Sequence, residues 1–358
     1  MSVVKVGDRI SEYVLDAEVG SGSFGQVWKA HHHIWKDKLV AIKVPTDSQY
    51  VRNLQREGVT IHGLNHPNIV RAIGLDPYAD VPYLAMEFVD GASLRELVDS
   101  YTNGMPLRAA QRIVCGILRA LDHSHANGVI HRDIKPANVL IVGGGSKPAE
   151  EIDVSDVKVT DFGLGRACEI TTSTIMQSGS LLSEEGKSIS GTLAYMAPEQ
   201  RDGGVTDART DLYAVGIVLF ELLAGERPSG SDMPSSVREG LPSWVDPVFS
   251  RLYTRRERRF PSAAAVLNMI ETMSKPPVVR GGSYGAISSP PPLPGVAGSD
   301  SGVCGSCGAD VAADDNFCIL CGTQIALDPR RCPSCGAYPE KGDRFCISCG
   351  SSLPASVG

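Results

Sequence analysis

Three short segments contain side chains that could hold magnesium and accept a proton. They are His131-Arg-Asp133-Ile-Lys135-Pro-Ala-Asn138, Asp161-Phe-Gly163 and Ala197-Pro-Glu199. Carboxylate and amide oxygens suit Mg²⁺, a hard cation that keeps water and phosphate oxygens as its other ligands. A carboxylate near a hydroxyl can also take up its proton during a transfer reaction. Each segment alone is short enough to occur by chance.

Two further patterns lie near the N-terminus. Gly20-Ser-Gly22-Ser-Phe-Gly25-Gln-Val27 could bring backbone N–H groups close to phosphates, although an ordinary hairpin turn explains it about as well. Val40-Ala-Ile-Lys43 places a lysine at the end of an apolar strand. If Lys43 points inward it needs an anion, because an unpaired buried ammonium is unfavourable. Glu57 and phosphate groups are the candidate partners.

The elements that would position these side chains change type along the chain. Strands are predicted at Tyr13–Val19, Gln26–Ala30 and Leu39–Val44, where β-branched and aromatic residues alternate with polar ones. Apolar residues at helical spacing predict helices at Gln111–Ala126 and Asp211–Leu223. A β-rich part followed by a helical part is α+β architecture, and the seam between them is a natural ligand cleft.

Composition divides the chain into three regions. We predict a folded domain over residues 1–274, a Pro/Gly/Ser-rich linker over 275–302 and a cysteine-rich module over 303–358. Within the first region, 142–156 and 169–190 are polar or Ser/Thr-rich and are expected to be mobile loops.

Overall charge and apolar content limit the classes of partner. The 358 residues carry a formal net charge of −7, which disfavours nucleic-acid binding. The N-terminus lacks the basic and apolar pattern of a signal peptide, and the longest apolar stretch, Leu212–Ala224, is too short for a membrane span. We therefore expect a cytoplasmic protein with no membrane association.

The five patterns occur together, in the order and at the approximate spacing that one phosphoryl-transfer mechanism requires. Residues from 12 to about 274 thus resemble a eukaryotic-type (bacterial-like) serine/threonine protein kinase domain. The resemblance implies a two-lobed kinase fold, with a β-rich N-lobe and a helical C-lobe. It also implies ATP and Mg²⁺ as cofactors and protein Ser or Thr hydroxyls as acceptors.

The resemblance also assigns catalytic roles. Asp133 is expected to be the catalytic base, with Lys135 and Thr192 acting beside it. Asn138 and Asp161 are expected to hold magnesium. Lys135 and Thr192 are the residues that favour serine or threonine over tyrosine as the acceptor.

For the nucleotide, the resemblance implies a site built from the glycine pattern, the sheet and a hinge. Lys43 is expected to hold the α- and β-phosphates while paired with Glu57, and Met86 to be the gatekeeper residue before the hinge. The expected nucleotide-binding residues are Val19, Gly20, Gly22, Gly25, Val27, Ala41, Lys43, Glu57, Met86, Glu87, Val89 and Leu140.

Three other residues are expected to act on the scaffold or its regulation. Asp211 and Arg259 match positions that stabilise the helical lobe. Arg132 could pair with a phosphate, so autophosphorylation within 169–190 is a hypothesis, with Ser188 and Ser190 favoured. The alternative is a flexible loop that is never modified.

Eight cysteines near the C-terminus form a repeated metal-binding pattern. Two Cys-x-x-Cys pairs separated by ten residues can present four thiolates to one zinc, and the pattern occurs twice. It resembles tandem zinc ribbons with two structural Zn²⁺, and disulfides are the alternative. The two expected ligand sets are Cys304, Cys307, Cys318 and Cys321, then Cys332, Cys335, Cys346 and Cys349.

The cysteine pattern does not identify what the ribbons bind, so alternatives remain for the function of the whole chain. Their acidic balance favours docking of a protein partner or substrate over nucleic acid. A pseudokinase scaffold without turnover and a nucleic-acid sensor that regulates a kinase are the two alternatives. Lys43, Asp133, Asn138 and Asp161 are all present, which argues against the scaffold.

Overall fold

The computed structural model describes residues 4–22, 25–162, 193–274, 332, 344–345 and 351–353. The chain divides into two units, Met1–Val278 and Val279–Gly358. All helices and strands named below belong to the first unit.

An antiparallel sheet of six strands forms the N-lobe, in the order β1-β2-β3-β4-β6-β5. Leu15, Trp28 and Ala30 are buried and alternate with more exposed neighbours, as the two-residue period of a strand dictates. The strands are β1 (Arg9–Ile10), β2 (Tyr13–Gly22), β3 (Gly25–His32), β4 (Leu39–Val44), β5 (Ala72–Asp76) and β6 (Tyr83–Glu87).

Helix α1 (Val51–His62) packs closely against β5. Glu57 and Gly58 lie on its buried face. A Cβ atom at Gly58 would lie 2.8 Å from Leu75 Cδ2, so glycine permits this close approach. The packing turns the Glu57 carboxylate toward the interior of the unit.

Helices dominate the C-lobe and surround one long buried helix. In that helix, α5, nearly every residue is buried; the Asp207 side chain caps its start and Gly225, with φ 81°, ends it. The helices are α2 (Leu94–Ser100), α3 (Leu107–Ala126), α4 (Pro198–Arg201), α5 (Ala208–Ala224), α6 (Pro234–Val237), α7 (Val245–Leu252) and α8 (Ala263–Ser274).

A second antiparallel sheet lies on the C-lobe, in the order β7 (Gly91–Ser93), β8 (Val139–Val142) and β9 (Val157–Val159). The predicted α+β architecture with a β-rich lobe followed by a helical lobe is confirmed. Across the parts of the chain that the structure describes, no helix is long and apolar enough to cross a membrane.

The segment 142–156, expected to be a mobile loop, instead packs on α3. It contains two short 3₁₀ helices, and Ala149 and Ile152 are buried within it. Arg112 of α3 donates a hydrogen bond to the Ile152 carbonyl at 2.9 Å. The expectation was wrong because the polar composition concealed two apolar anchors. The other expected loop, 169–190, and all of the linker lie outside the described residues.

Helix α3 lies so close to β9 that adding a side chain at Gly116 should destabilise the fold. An added Cβ would lie 2.5 Å from Val157 Cβ. We expect Gly116→Ala to lower the free energy of unfolding by about 1–3 kcal/mol, since overpacking outweighs a helix-propensity gain of about 1 kcal/mol. Thermal denaturation measures the change. Gly63→Ala is the control, because its nearest atom is 3.7 Å away, and equal melting temperatures for both variants would contradict the close packing.

Candidate active site

A buried lysine joins two carboxylates from different parts of the first unit. Lys43 Nζ lies 2.8 Å from Glu57 Oε2 and 2.9 Å from Asp161 Oδ1. Strand β4 supplies Lys43, α1 supplies Glu57, and Asp161 follows β9. Because Lys43 is buried, its ammonium requires these anions. The three residues therefore tie the sheet and helix of the N-lobe to the C-lobe.

The same contacts fix the charge of Lys43 and Asp161. Burial alone would lower the pKa of Lys43, but the carboxylates of Asp161 and Glu57 raise it above its ordinary value. Burial would raise the pKa of Asp161, but the Lys43 ammonium holds it below its ordinary range. At neutral pH the site thus holds a cation suited to phosphate and an anion suited to a metal ion.

A second group of side chains centres on the Asp133 carboxylate. Its Oδ2 atom accepts from Lys135 Nζ at 2.9 Å and from Asn138 Nδ2 at 3.0 Å. Asn138 Nδ2 also donates to the Asp133 carbonyl at 2.8 Å. The amide nitrogen of Asn138 makes these bonds, so its amide oxygen is the atom that would contact a cation. Together with the Asp161 carboxylate, that oxygen fits the ligand preference of Mg²⁺.

Backbone contacts bring the two groups together. The Thr160 N–H donates to the Asn138 carbonyl at 3.0 Å, and His131 Nε2 donates to the Thr160 carbonyl at 2.9 Å. The His131 ring also packs edge-on against Phe162, which is fully buried. The expected magnesium ligands and the expected base therefore lie on adjacent, mutually bonded segments.

The buried carboxylate of Asp211 holds the backbone that precedes Asp133. It accepts from the N–H groups of His131 at 2.9 Å and Arg132 at 2.7 Å, and it bonds His125 Nε2 at 2.7 Å. Burial alone would raise the pKa of Asp211, but the His125 ring and the backbone donors lower it below its ordinary value.

Arg132 and Asp161 are both held in the left-handed region, with φ 64°. That conformation is unfavourable for side chains with a Cβ atom and persists where the surroundings determine it. At Arg132 the surroundings are Asp211, which bonds its N–H group, and Gln200, which donates to its carbonyl at 2.9 Å. The strain therefore belongs to the segments that present Asp133 and the metal ligands.

The apolar residues expected to contact an adenine base come from both lobes. Ala41 of β4, Leu140 of β8 and Val89, which follows β6, are half-buried and pack on the core that contains Met86. Met86 itself is buried and pairs with Ala41 across the sheet. Among the other expected contacts, Val27 is half-buried on β3, Val19 is exposed on β2, and Glu87 ends β6.

The three glycines of the N-terminal pattern occupy different environments. Gly22 is exposed and, among the described residues, has no atom within 4 Å of where a Cβ would lie; Gly20 has only Val27 there, at 3.9 Å. Gly25 is buried, and a Cβ there would lie 2.5 Å from the Val44 carbonyl oxygen. Gly20 and Gly22 therefore leave room for a ligand. At position 25 glycine is required for a different reason, its close contact with Val44 of β4.

Arg259 and Glu199 form the scaffold contact expected for Arg259. Arg259 donates to both Glu199 oxygens, at 2.6 and 2.9 Å. It also donates to the Arg209 carbonyl at 3.0 Å, which places it at the start of α5. This pair lies in the C-lobe scaffold and stabilises the segment around Glu199.

Sequence reasoning missed three polar residues that support the site. Gln200 donates to the Arg132 carbonyl, and His125 bonds the Asp211 carboxylate. Lys158 contacts Glu87 Oε1 at 2.7 Å. Lys158 stands between two buried valines on β9, a pattern that could have marked its side chain as facing away from the core.

Several expected site residues lie outside the described residues. They are Gly163, Thr192, and seven zinc-ligand candidates: Cys304, Cys307, Cys318, Cys321, Cys335, Cys346 and Cys349.

The second unit shows one feature of a zinc knuckle. Phe345 and Ser352 form an antiparallel bridge, and the Leu353 N–H donates to the Arg344 carbonyl at 2.9 Å. The paired residues lie on either side of Cys346 and Cys349 in the sequence. Cys332 is buried against Leu353, which brings the first cysteine of this ligand set close to that pairing. The Cys332 thiol is a ligand type that suits a structural zinc ion, and the complete ligand sets stay a prediction.

Comparison with known proteins agrees with this geometry. A family profile described as protein kinase domain matches residues 13–262, and one described as double zinc ribbon matches 304–350. Serine/threonine-protein kinase PrkC of Bacillus subtilis is 36% identical over 65% of this chain and 33% of its own length. Serine/threonine-protein kinase PknB of Mycobacterium tuberculosis is 32% identical over 70% of this chain and 41% of its own length.

A solved structure shares the fold. The kinase domain of Mycobacterium tuberculosis PknI, crystallised as a point mutant, superposes with a TM-score of 0.57 and 24% identity, covering 76% of this chain and 100% of that one. The β-rich and helical lobes are those of the protein kinase fold. The chain belongs to the protein kinase family and carries a double zinc ribbon after that domain, which confirms the resemblance in the sequence. It spans about a third to two fifths of the length of the curated relatives it matches.

Removing the charge of Asp211 should cost stability in a pH-dependent way. We expect Asp211→Asn to lower the free energy of unfolding by about 1.5–3 kcal/mol, because an amide cannot accept all three hydrogen bonds. The folded pKa lies below the unfolded value of about 3.9, so the carboxylate stabilises the fold above that pH and loses its effect as pH falls through the folded pKa.

Denaturant unfolding across this pH range tests the expectation. The loss should be constant from about pH 5 to 8 and shrink below about pH 4. Asp202→Asn, an exposed carboxylate of the same lobe, is the control and should change little. A loss that grows on acidification would contradict the assigned role.

Proposed function

We propose that this chain is a serine/threonine protein kinase that transfers the γ-phosphoryl group of ATP to protein hydroxyls. The observation that supports this most is the meeting of the Lys43–Glu57–Asp161 ion pairs with the Asp133–Asn138 segment at the seam between the lobes. The names of the curated relatives support the same activity.

Each side chain at the seam has a task that its geometry suits. A Ser or Thr oxygen attacks the γ-phosphorus, the bond to the β–γ bridging oxygen breaks, and ADP leaves. Asp133 accepts the proton of the hydroxyl, and the Lys135 ammonium, 2.9 Å from Asp133, lies where it can offset charge on the transferred group. Lys43 binds the α- and β-phosphates.

Asn138 and Asp161 would hold Mg²⁺ through their amide and carboxylate oxygens. When bound, magnesium neutralises charge on the phosphate oxygens. Val19, Gly20, Gly22, Gly25, Val27, Ala41, Met86, Glu87, Val89 and Leu140 would surround the nucleotide, and Thr192 would act beside Asp133.

Asp133→Asn should abolish most of the activity without unfolding the protein. We expect kcat to fall by about 10²- to 10⁴-fold, because the hydroxyl proton loses its acceptor. Transfer of radiolabelled γ-phosphate from Mg·ATP, followed by phosphoamino-acid analysis, measures it. Asp80→Asn, an exposed N-lobe carboxylate, is the control. Equal activity of wild type and Asp133→Asn, or label on tyrosine, would refute the proposal.

The proposal includes autophosphorylation within 169–190. Arg132, next to Asp133, is the residue that could pair with a phosphate there, and its Nε already donates to Thr206 at 3.2 Å. Phosphopeptide mapping of the labelled wild-type chain should find the label on this segment, with Ser188 and Ser190 favoured. A map without phosphate in 169–190 would remove autophosphorylation from the proposal.

The C-terminal unit is proposed to bind two structural zinc ions and to dock a protein partner or substrate. Four thiolates leave no open position on zinc, so its contribution is to the fold of this unit. Cytoplasmic location and the absence of nucleic-acid and membrane partners stay predictions. So do the domain limits at 274 and 302.

Loss of one ligand should remove one zinc ion. Wild-type protein is expected to hold two zinc ions per chain, and Cys332→Ala to hold about one, because three thiolates bind zinc much more weakly than four. Mass spectrometry of the metal content after dialysis measures the ratio. Cys115→Ala, a buried cysteine of α3, is the control and should keep both ions. Wild-type protein without zinc would contradict the metal assignment.

A further inference from the structure

We infer that Lys158 is a positioning residue for the nucleotide. It clamps the start of the hinge, residues 87–89, to β9, the strand that leads into Asp161. The inference rests on the proposed function and adds to it a residue that touches neither substrate nor metal. Lys158 Nζ donates to Glu87 Oε1 at 2.7 Å and to the Pro67 carbonyl at 3.1 Å. Three segments of the chain therefore meet at one ammonium group.

The Glu87 carboxylate has a second partner besides Lys158. Its Oε1 atom also accepts from the Arg71 N–H at 3.1 Å, and the Glu87 N–H donates to the Arg71 carbonyl at 2.9 Å. The carboxylate is thus turned toward the segment after α1. What residue 87 offers to an adenine base is its backbone, whose position these contacts set.

Lys158 can act as a clamp because burial and strand pairing hold β9 in place. The flanking residues Val157 and Val159 are fully buried, and β9 is paired with β8 along its length. Asp161 follows three residues later and bonds Lys43. The ion pair therefore fixes the distance between the hinge and the carboxylate that would hold magnesium.

The next hinge residue, Phe88, is contacted by a lysine of the N-lobe. Lys29 Nζ of β3 lies 5.0 Å from the centre of the Phe88 ring, a cation–π contact. Consecutive hinge residues, Glu87 and Phe88, are thus bound by lysines from different lobes. The side chains of Lys158 and Glu87 are only 18% and 24% exposed, so water screens their ion pair less than a surface pair.

The clamp should affect nucleotide binding and not the chemical step. Adenine contacts are equally strong in the ground state and the transition state, so weakening them raises KM and leaves kcat unchanged. We expect Lys158→Met to raise the KM for ATP about three- to tenfold, the factor that loss of about 1 kcal/mol produces, with kcat and the KM for protein substrate unchanged. Mere destabilisation would lower kcat at constant KM.

The test combines steady-state kinetics with calorimetric titration of Mg·ADP on the full chain. Lys158→Arg should bind like the wild type, since a guanidinium can reach both acceptors. Glu87→Gln combined with Lys158→Met should be no weaker than Lys158→Met alone. Lys147→Met is the matched control: it removes a 2.5 Å ion pair with Asp156, of similar exposure, beside β9 but away from the hinge.

The outcomes separate the clamp from the proposed function. A wild-type chain that binds Mg·ADP but transfers no phosphate would refute the kinase activity, and the clamp would still be decided by the titrations. Lys158→Met that binds Mg·ADP as tightly as wild type would overturn the clamp. So would an equal loss in Lys147→Met, or weaker binding by the double variant Glu87→Gln, Lys158→Met than by Lys158→Met alone.

Discussion

The buried ammonium of Lys43 is the constraint on which the kinase domain depends. A charge at this depth is tolerated only with anions around it, and the two that surround it come from α1 and from the end of β9. One side chain therefore specifies how the sheet, the helix and the C-lobe meet. The proposed nucleotide site lies along that junction, so its geometry would follow from charge balance in the fold.

A second buried charge performs the corresponding task in the C-lobe. Asp211 lies near the start of the most buried helix and gathers donors from α3 and from the segment before Asp133. Its neighbours hold Arg132 in a conformation that the residue would not adopt alone. The segment that carries Asp133 is thus held in place from the centre of the lobe.

The sequence predicted those parts of the site that are local in the chain. Asp133, Lys135 and Asn138 lie within six residues, and their mutual hydrogen bonds follow from that spacing. The pairing of Lys43 with Glu57 was also predicted, through the resemblance.

Contacts between distant residues were not predicted: Lys158 and Glu87 are 71 residues apart, and Gln200 and Arg132 are 68 apart. Strand and helix patterns fix which residues are buried, but they do not fix which polar groups meet across two lobes. The buried anchors Ala149 and Ile152 were missed because polar neighbours masked them.

Met86 has a consequence for the design of inhibitors. This side chain is buried behind the apolar walls formed by Ala41 and Leu140. An unbranched thioether has several accessible rotamers and repacks at little cost, unlike a β-branched residue with a stiff first torsion. In the proposed nucleotide site, compounds that extend past the adenine position would meet a side chain that repacks, and oxidation of its sulfur would make that side chain polar.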